Sequence, residues 1–107
     1  VQDCVDGFLM ALDEKLWPSA VEVYNMGSED RTNVVTIAKI VSRAMGLSGV
    51  TLRTTQSHGG RAWAGDVKTM QLDIAKIKKL GWMPKRTSEE AVRQAAEELV
   101  RELSPIR

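Results

Sequence analysis

Val21-Glu22-Val23-Tyr24-Asn25-Met26-Gly27-Ser28 is the stretch on which the fold class turns. Its first four residues alternate with a period of two, the pattern of a half-buried strand, and the Asn, Gly and Ser that follow are turn formers that would end it. Upstream, Asp3 stands before Val5, Phe8, Leu9 and Leu12 at helical spacing, so a first helix is expected from an Asp3 cap to near Glu14. Lys15 to Ala20 contains Trp17-Pro18 and reads as a loop, because proline disfavours helical geometry in the residue before it.

Downstream, Thr32 or Asn33 can cap a second helix whose Val34, Ile37, Ala38, Val41 and Met45 form one apolar stripe before Gly46 closes it. Val50 to Thr54 reads as a second strand, and Gln56 to Asp66, with Gly59, Gly60 and Gly65, as a long irregular loop of the kind that more often carries function than not. Asp73 caps a short helix with Ile74, Ile77 and Leu80 that ends at Gly81-Trp82. Thr87-Ser88-Glu89-Glu90 has capping-box spacing and opens a last helix with Val92, Ala95, Ala96, Leu99, Val100 and Leu103 on its inner face. The layout is α-β-α-β-loop-α-α. The expected fold class is α/β in the mixed α+β sense: a small helical lobe with two or three short strands.

The 107 residues are 43% hydrophobic and 27% charged, an ordinary balance for one soluble globular domain, so 1–107 is read as a single domain. Fifteen Lys and Arg against fourteen Asp and Glu leave a net charge of +1, which supplies no global field to draw in nucleic acid or an anionic membrane. Neither is an expected partner. Cys4 is the only cysteine and His58 the only histidine. That excludes an internal disulfide and a multi-cysteine zinc site, leaves no metal site in view, and fits a reducing, cytoplasmic setting. His58 itself reads as a loop residue without a chemical duty. No segment approaches the roughly 18 apolar residues of a bilayer span, and the N-terminus has no targeting pattern. The chain opens on Val1 with helical patterning at once, as a piece cut from something longer would.

No Gly-x-Gly-x-x-Gly turn and no Walker-type loop is present, so the chain alone is not expected to hold a dinucleotide. The paired carboxylates Asp3/Asp6 and Glu89/Glu90 fall at helix starts, where they favour the helix dipole. One constellation carries binding chemistry: His58-Gly59-Gly60-Arg61-Ala62-Trp63-Ala64-Gly65-Asp66-Val67. Its glycines let backbone amides approach a ligand, and Arg61 offers a planar fork suited to phosphate oxygens. Trp63 can stack on a ring or anchor the loop, and Asp66 can accept hydrogen bonds from sugar hydroxyls.

Val1-Gln2-Asp3 before an apolar helix, Val23-Tyr24-Asn25-Met26-Gly27-Ser28, the Arg61-to-Val67 loop, and Leu72-Asp73-Ile74-Ala75-Lys76 running on to Leu80-Gly81-Trp82-Met83-Pro84 come in an order that covers nearly the whole chain. Together they resemble the C-terminal part of extended short-chain dehydrogenase/reductases, the NAD-dependent epimerase/dehydratase family. The resemblance implies that 1–107 is the C-terminal nucleotide-sugar-binding domain. It further implies a separate N-terminal Rossmann domain, absent from this chain, that holds NAD and carries the catalytic Tyr-x-x-x-Lys. A UDP-glucose/galactose 4-epimerase is the preferred parent, a homodimer, with this piece inactive alone and without cofactor. A nucleotide-sugar 4,6-dehydratase is the alternative, and a free-standing interaction module using Lys76, Lys78, Lys79, Lys85 and Arg86 is a reading of another class. By position, Arg61 would meet the substrate diphosphate and Asp66 the ribose, with Trp63 and Asn25 as further substrate contacts. Many members place Arg three residues before the Asp, whereas Arg61 precedes Asp66 by five, so Arg53 or Lys68 can share the phosphate role. Ala75 stands where Ser is usual.

Overall fold

In a computed structural model of the chain, the described residues are 1–13, 15, 21–55 and 59–104. The loop around Trp17-Pro18, Glu14 as a helix end, and His58 lie outside them. The described residues form four helices: α1 (Gln2–Ala11), α2 (Val34–Ala44), α3 (Ala75–Lys78) and α4 (Ser88–Leu103). The chain divides into two compact units, Val1–Arg31 with Gln71–Thr87, and Thr32–Met70 with Ser88–Arg107.

No β-strand occurs among the described residues, which overturns the α/β expectation with its two or three short strands. The physical reason lies in what a strand needs. Val21 to Met26 does keep a two-residue alternation, with Glu22, Tyr24 and Met26 half-buried and Val21, Val23 and Asn25 exposed. A strand also requires a neighbouring ladder of backbone hydrogen bonds, and no such ladder forms here among the described residues. The carbonyl of Val23 accepts from the Lys76 ammonium instead, at 3.0 Å. Val50 to Thr54 is exposed throughout and likewise has no ladder among the described residues.

In the first unit, Ile74 and Trp82 are 2% and 4% exposed, and with Ile77 they form a core against which Met10, Tyr24 and Met26 pack. Burying each such side chain contributes about 1.5–3 kcal/mol. The indole Nε1 of Trp82 donates to the carbonyl of Asp3 at 2.9 Å, so the ring is buried without an orphaned N–H. Gly7 makes this possible, because a Cβ there would overlap the Met26 sulfur and stand 3.2 Å from the Trp82 Nε1. The residue that starts α1 is Val1, with no side-chain cap, and Asp3 lies in the first turn rather than at the N-cap. There its carboxylate still favours the helix dipole. The apolar stripe read on α1 is not its packed face: Phe8 and Leu12 are 66% and 74% exposed, while Gly7 is buried.

Around this core the unit is tied by side-chain bonds between its two sequence segments. Arg31 donates to the Gln71 Oε1 from Nε and Nη2 at 3.2 and 2.7 Å, and Gln71 returns a bond to the Glu29 carbonyl at 3.0 Å. The N-cap of α3 is Ile74, with no side-chain cap, rather than the expected Asp73, which stands one residue earlier and accepts the Ala75 N–H on its Oδ1 at 2.8 Å. Gly81, at φ +97°, then turns the chain out of the helix toward Trp82, in a conformation that favours glycine.

In the second unit α2 packs on α4, with Ile40 and Ala96 buried. Of the two candidate caps the structure selects Asn33, whose side chain accepts from the Thr36 N–H at 2.9 Å. The other end closes as a Schellman motif, with Gly46 N–H to the Arg43 carbonyl and Leu47 N–H to the Ser42 carbonyl, both at 2.9 Å. Gly46 takes φ +70° there, which an L side chain adopts only with strain. Among the described residues no helix is long and apolar enough to cross a membrane.

Candidate functional site

Residues 59–68 form a loop of the second unit that is held by its own atoms. Asp66 N–H donates to the Trp63 carbonyl at 3.1 Å, making a turn, and the Asp66 Oδ2 accepts the Ala62 N–H at 3.1 Å. Farther out, the Lys68 ammonium donates to the Gly59 carbonyl at 3.1 Å and ties the loop across its ends. Three of the expected site residues, Arg61, Trp63 and Asp66, are thereby presented on one short, internally bonded segment. Asn25 belongs to the other unit.

Each residue has a different share. Arg61 is exposed, and no hydrogen bond or ion pair engages its guanidinium among the described residues, so its fork is open to an anion. Asp66 is half-buried, and one of its oxygens is already occupied by Ala62. It closes the loop, and its other oxygen has no partner among the described residues. Trp63 is 62% exposed, with the outer edge of its six-membered ring lying where a Cβ on Gly65 would have to be. Lys68 is engaged with Gly59, which leaves Arg61 the freer of the two cations on the loop. Arg53 lies on the exposed segment before it. Asn25 donates its amide to the Asp73 carbonyl at 3.3 Å, pinning its turn to the start of α3.

The basic cluster expected to serve a nucleic-acid-binding alternative is largely neutralised. Lys76 pairs with Glu22 at 2.7 Å, Lys78 with Glu29 at 2.9 Å, Lys85 with Asp6 at 2.6 Å, and Arg86 with Asp3 at 3.8 Å. Lys76 also stands 4.7 Å from the centre of the Tyr24 ring. The Lys85 hydrogen bond, followed by one from Gln2, holds the Asp6 carboxyl below its ordinary value, and the same bond from Asp6 raises Lys85. Cations so paired make a weak phosphate track.

Two grooves flank α2 within the second unit. One, of about 600 Å³, is lined almost wholly by apolar side chains, among them Val41, Met45, Leu99 and Leu103, with Ser104 also on it. The other, of about 350 Å³, brings Lys39 and Arg43 beside Leu47, Val50 and Leu52. Lys39 and Arg43 stand four residues apart on α2, a spacing that places two side chains on one helix face. No group of three or more His, Cys, Asp or Glu residues that could hold a metal ion occurs among the described residues.

Compared with known proteins, the chain matches no family profile and no curated protein. It does match a solved structure described as a UDP-galactose 4-epimerase, at 36% sequence identity and a TM-score of 0.77, over 95% of this chain and 32% of that one. The chain therefore spans about a third of the length of the epimerase it matches, and over that part its fold is epimerase-like.

Proposed function

We propose that this chain is the nucleotide-sugar-binding part of an NAD-dependent epimerase/dehydratase, and that the parent is a UDP-glucose/galactose 4-epimerase. The observation that carries the reading is the match at 36% identity across 95% of the chain, which at that level speaks for more than shape. The loop agrees with it chemically, since an open guanidinium beside a carboxylate with one free oxygen suits a diphosphate next to a ribose. In this reading the NAD that takes and returns the sugar's hydride is held by the rest of the parent. This part binds and orients the substrate, a contribution that lowers a barrier by keeping the sugar at the reactive ring. The exposed Phe8 and Leu12 on α1 then belong to the surface that meets the rest of the parent.

A chimera tests this. The 107 residues replace the matching third of a UDP-galactose 4-epimerase. A chimera that interconverts UDP-galactose and UDP-glucose, and loses that activity with Arg61→Ala, supports the proposal. A chimera that folds and binds NAD but takes no UDP-sugar overturns it. The 107 residues alone are expected to show no turnover.

A further inference from the structure

Resting on that reading, we infer that Trp63 is the stacking plate for the nucleotide's base and that Gly65 is the positioning residue that sets it. The two buried-versus-open tryptophans make the case. Trp82 is in the core with its N–H bonded to Asp3, as a structural tryptophan should be. Trp63 contributes nothing to the core, and its N–H has no bond among the described residues. Its backbone, in contrast, is fixed: its carbonyl is held by Asp66, and Asp66 also holds the next-door Ala62 N–H. A large apolar ring is thus kept on the surface at a fixed place, two residues from the open guanidinium of Arg61.

Gly65 shows that the ring's position is specified. A Cβ at that residue would overlap Cζ3 and Cη2 of Trp63 and lie 3.1 Å from Cε3. Gly65 does not stand among the positive-φ glycines, so its backbone could accept an alanine. An alanine there would have to displace the indole. The ring is 62% exposed and so keeps open surface for a second planar ring. An aromatic base offers a face that stacks on such a ring whatever its substituents. A diphosphate on Arg61 with its base on Trp63 uses both residues in one ligand.

The test titrates UDP, uridine, inorganic pyrophosphate and methyl galactoside into the 107-residue chain, reading indole fluorescence and calorimetric heat. UDP is expected to quench the Trp63 emission saturably, and Trp63→Leu to remove that quenching and weaken UDP about tenfold while leaving pyrophosphate unchanged. Trp63→Tyr should recover most of the affinity. Gly65→Ala should shift the Trp63 emission and weaken UDP as Trp63→Leu does, with unchanged far-UV circular dichroism. UDP affinity that survives Trp63→Leu but falls with Arg61→Ala overturns the stacking plate and leaves the diphosphate reading standing. Quenching by methyl galactoside in place of uridine overturns the assignment to the base. A wild-type chain that binds neither UDP nor pyrophosphate overturns the functional reading and this inference with it. Gly65→Ala that moves neither emission nor affinity overturns the positioning role.

Discussion

The region around Trp82 and the loop that carries Trp63 are built on opposite plans. Around Trp82 the bonds are long in sequence: Trp82 to Asp3 and Lys85 to Asp6 each join residues 79 positions apart. The apolar side chains there are buried, and most of the charges are paired. In residues 59–68 the hydrogen bonds from Ala62 to Asp66 and from Lys68 to Gly59 are local, the apolar ring is out, and the arginine has no partner among the described residues. The first plan makes a scaffold, and in the proposed function the second presents groups to a ligand. Substitutions in the first should change stability, and substitutions in the second should change binding.

The largest effect expected is at Trp82. Trp82→Ala removes the largest core side chain and leaves a cavity, at a cost of about 3–5 kcal/mol in urea denaturation followed by far-UV circular dichroism. Trp63→Leu in the same measurement should stay within about 0.5 kcal/mol, as surface substitutions do. Equal losses for both would erase the distinction between the two regions. A smaller effect sharpens the stability side within the second unit. Asn33→Ala removes the cap that accepts from Thr36 and should cost about 1 kcal/mol, with UDP binding unaffected.

The smallest concerns pH. Because Lys85 and then Gln2 hold the Asp6 carboxyl below its ordinary value, Asp6 stabilises the fold above the usual aspartate pKa, and that contribution is lost as pH falls through the lowered one. Lys85, raised by Asp6, contributes below the usual lysine pKa and loses its contribution as pH rises through the raised value. Lys85 is exposed and Asp6 only half-buried, so solvent screens the pair and the effect is small. Melting temperatures of Asp6→Asn against pH should be flatter than wild type at both the acid and alkaline ends. An unchanged acid limb would remove Asp6 from the scaffold.

The helices were the legible part. α2 and α4 follow from their apolar spacing, and the closing Gly46 from turn chemistry, because those signals are local. The choice of Asn33 over Thr32 needed the structure, since either side chain can accept from a helix N-terminus. The face of α1 was misjudged for a different reason. Its inward side is made by Gly7 and Met10 against Met26 and Trp82, and a glycine that admits a neighbour carries no hydrophobic signal. The strands failed because a ladder partner is a nonlocal condition that alternation in Val21 to Tyr24 cannot report. At the site, the residue types of the loop were readable, and Arg61, Trp63 and Asp66 do fall on one segment. The bond from Ala62 to Asp66 was not readable, and it changes the carboxylate's meaning from a ligand group alone to a loop closure that also has an oxygen to offer.

The most direct measurement is calorimetric titration of UDP into the wild-type chain and into Arg61→Ala, at low ionic strength, with the melting temperature of each recorded beside it. If the loop is a diphosphate site, wild type binds UDP at one site and Arg61→Ala loses about 2 kcal/mol of affinity, the range for a charge-assisted hydrogen bond, while the melting temperature does not move. A variant that melts earlier and binds UDP as well as wild type would make Arg61 part of the scaffold and contradict the assignment of this loop to the nucleotide.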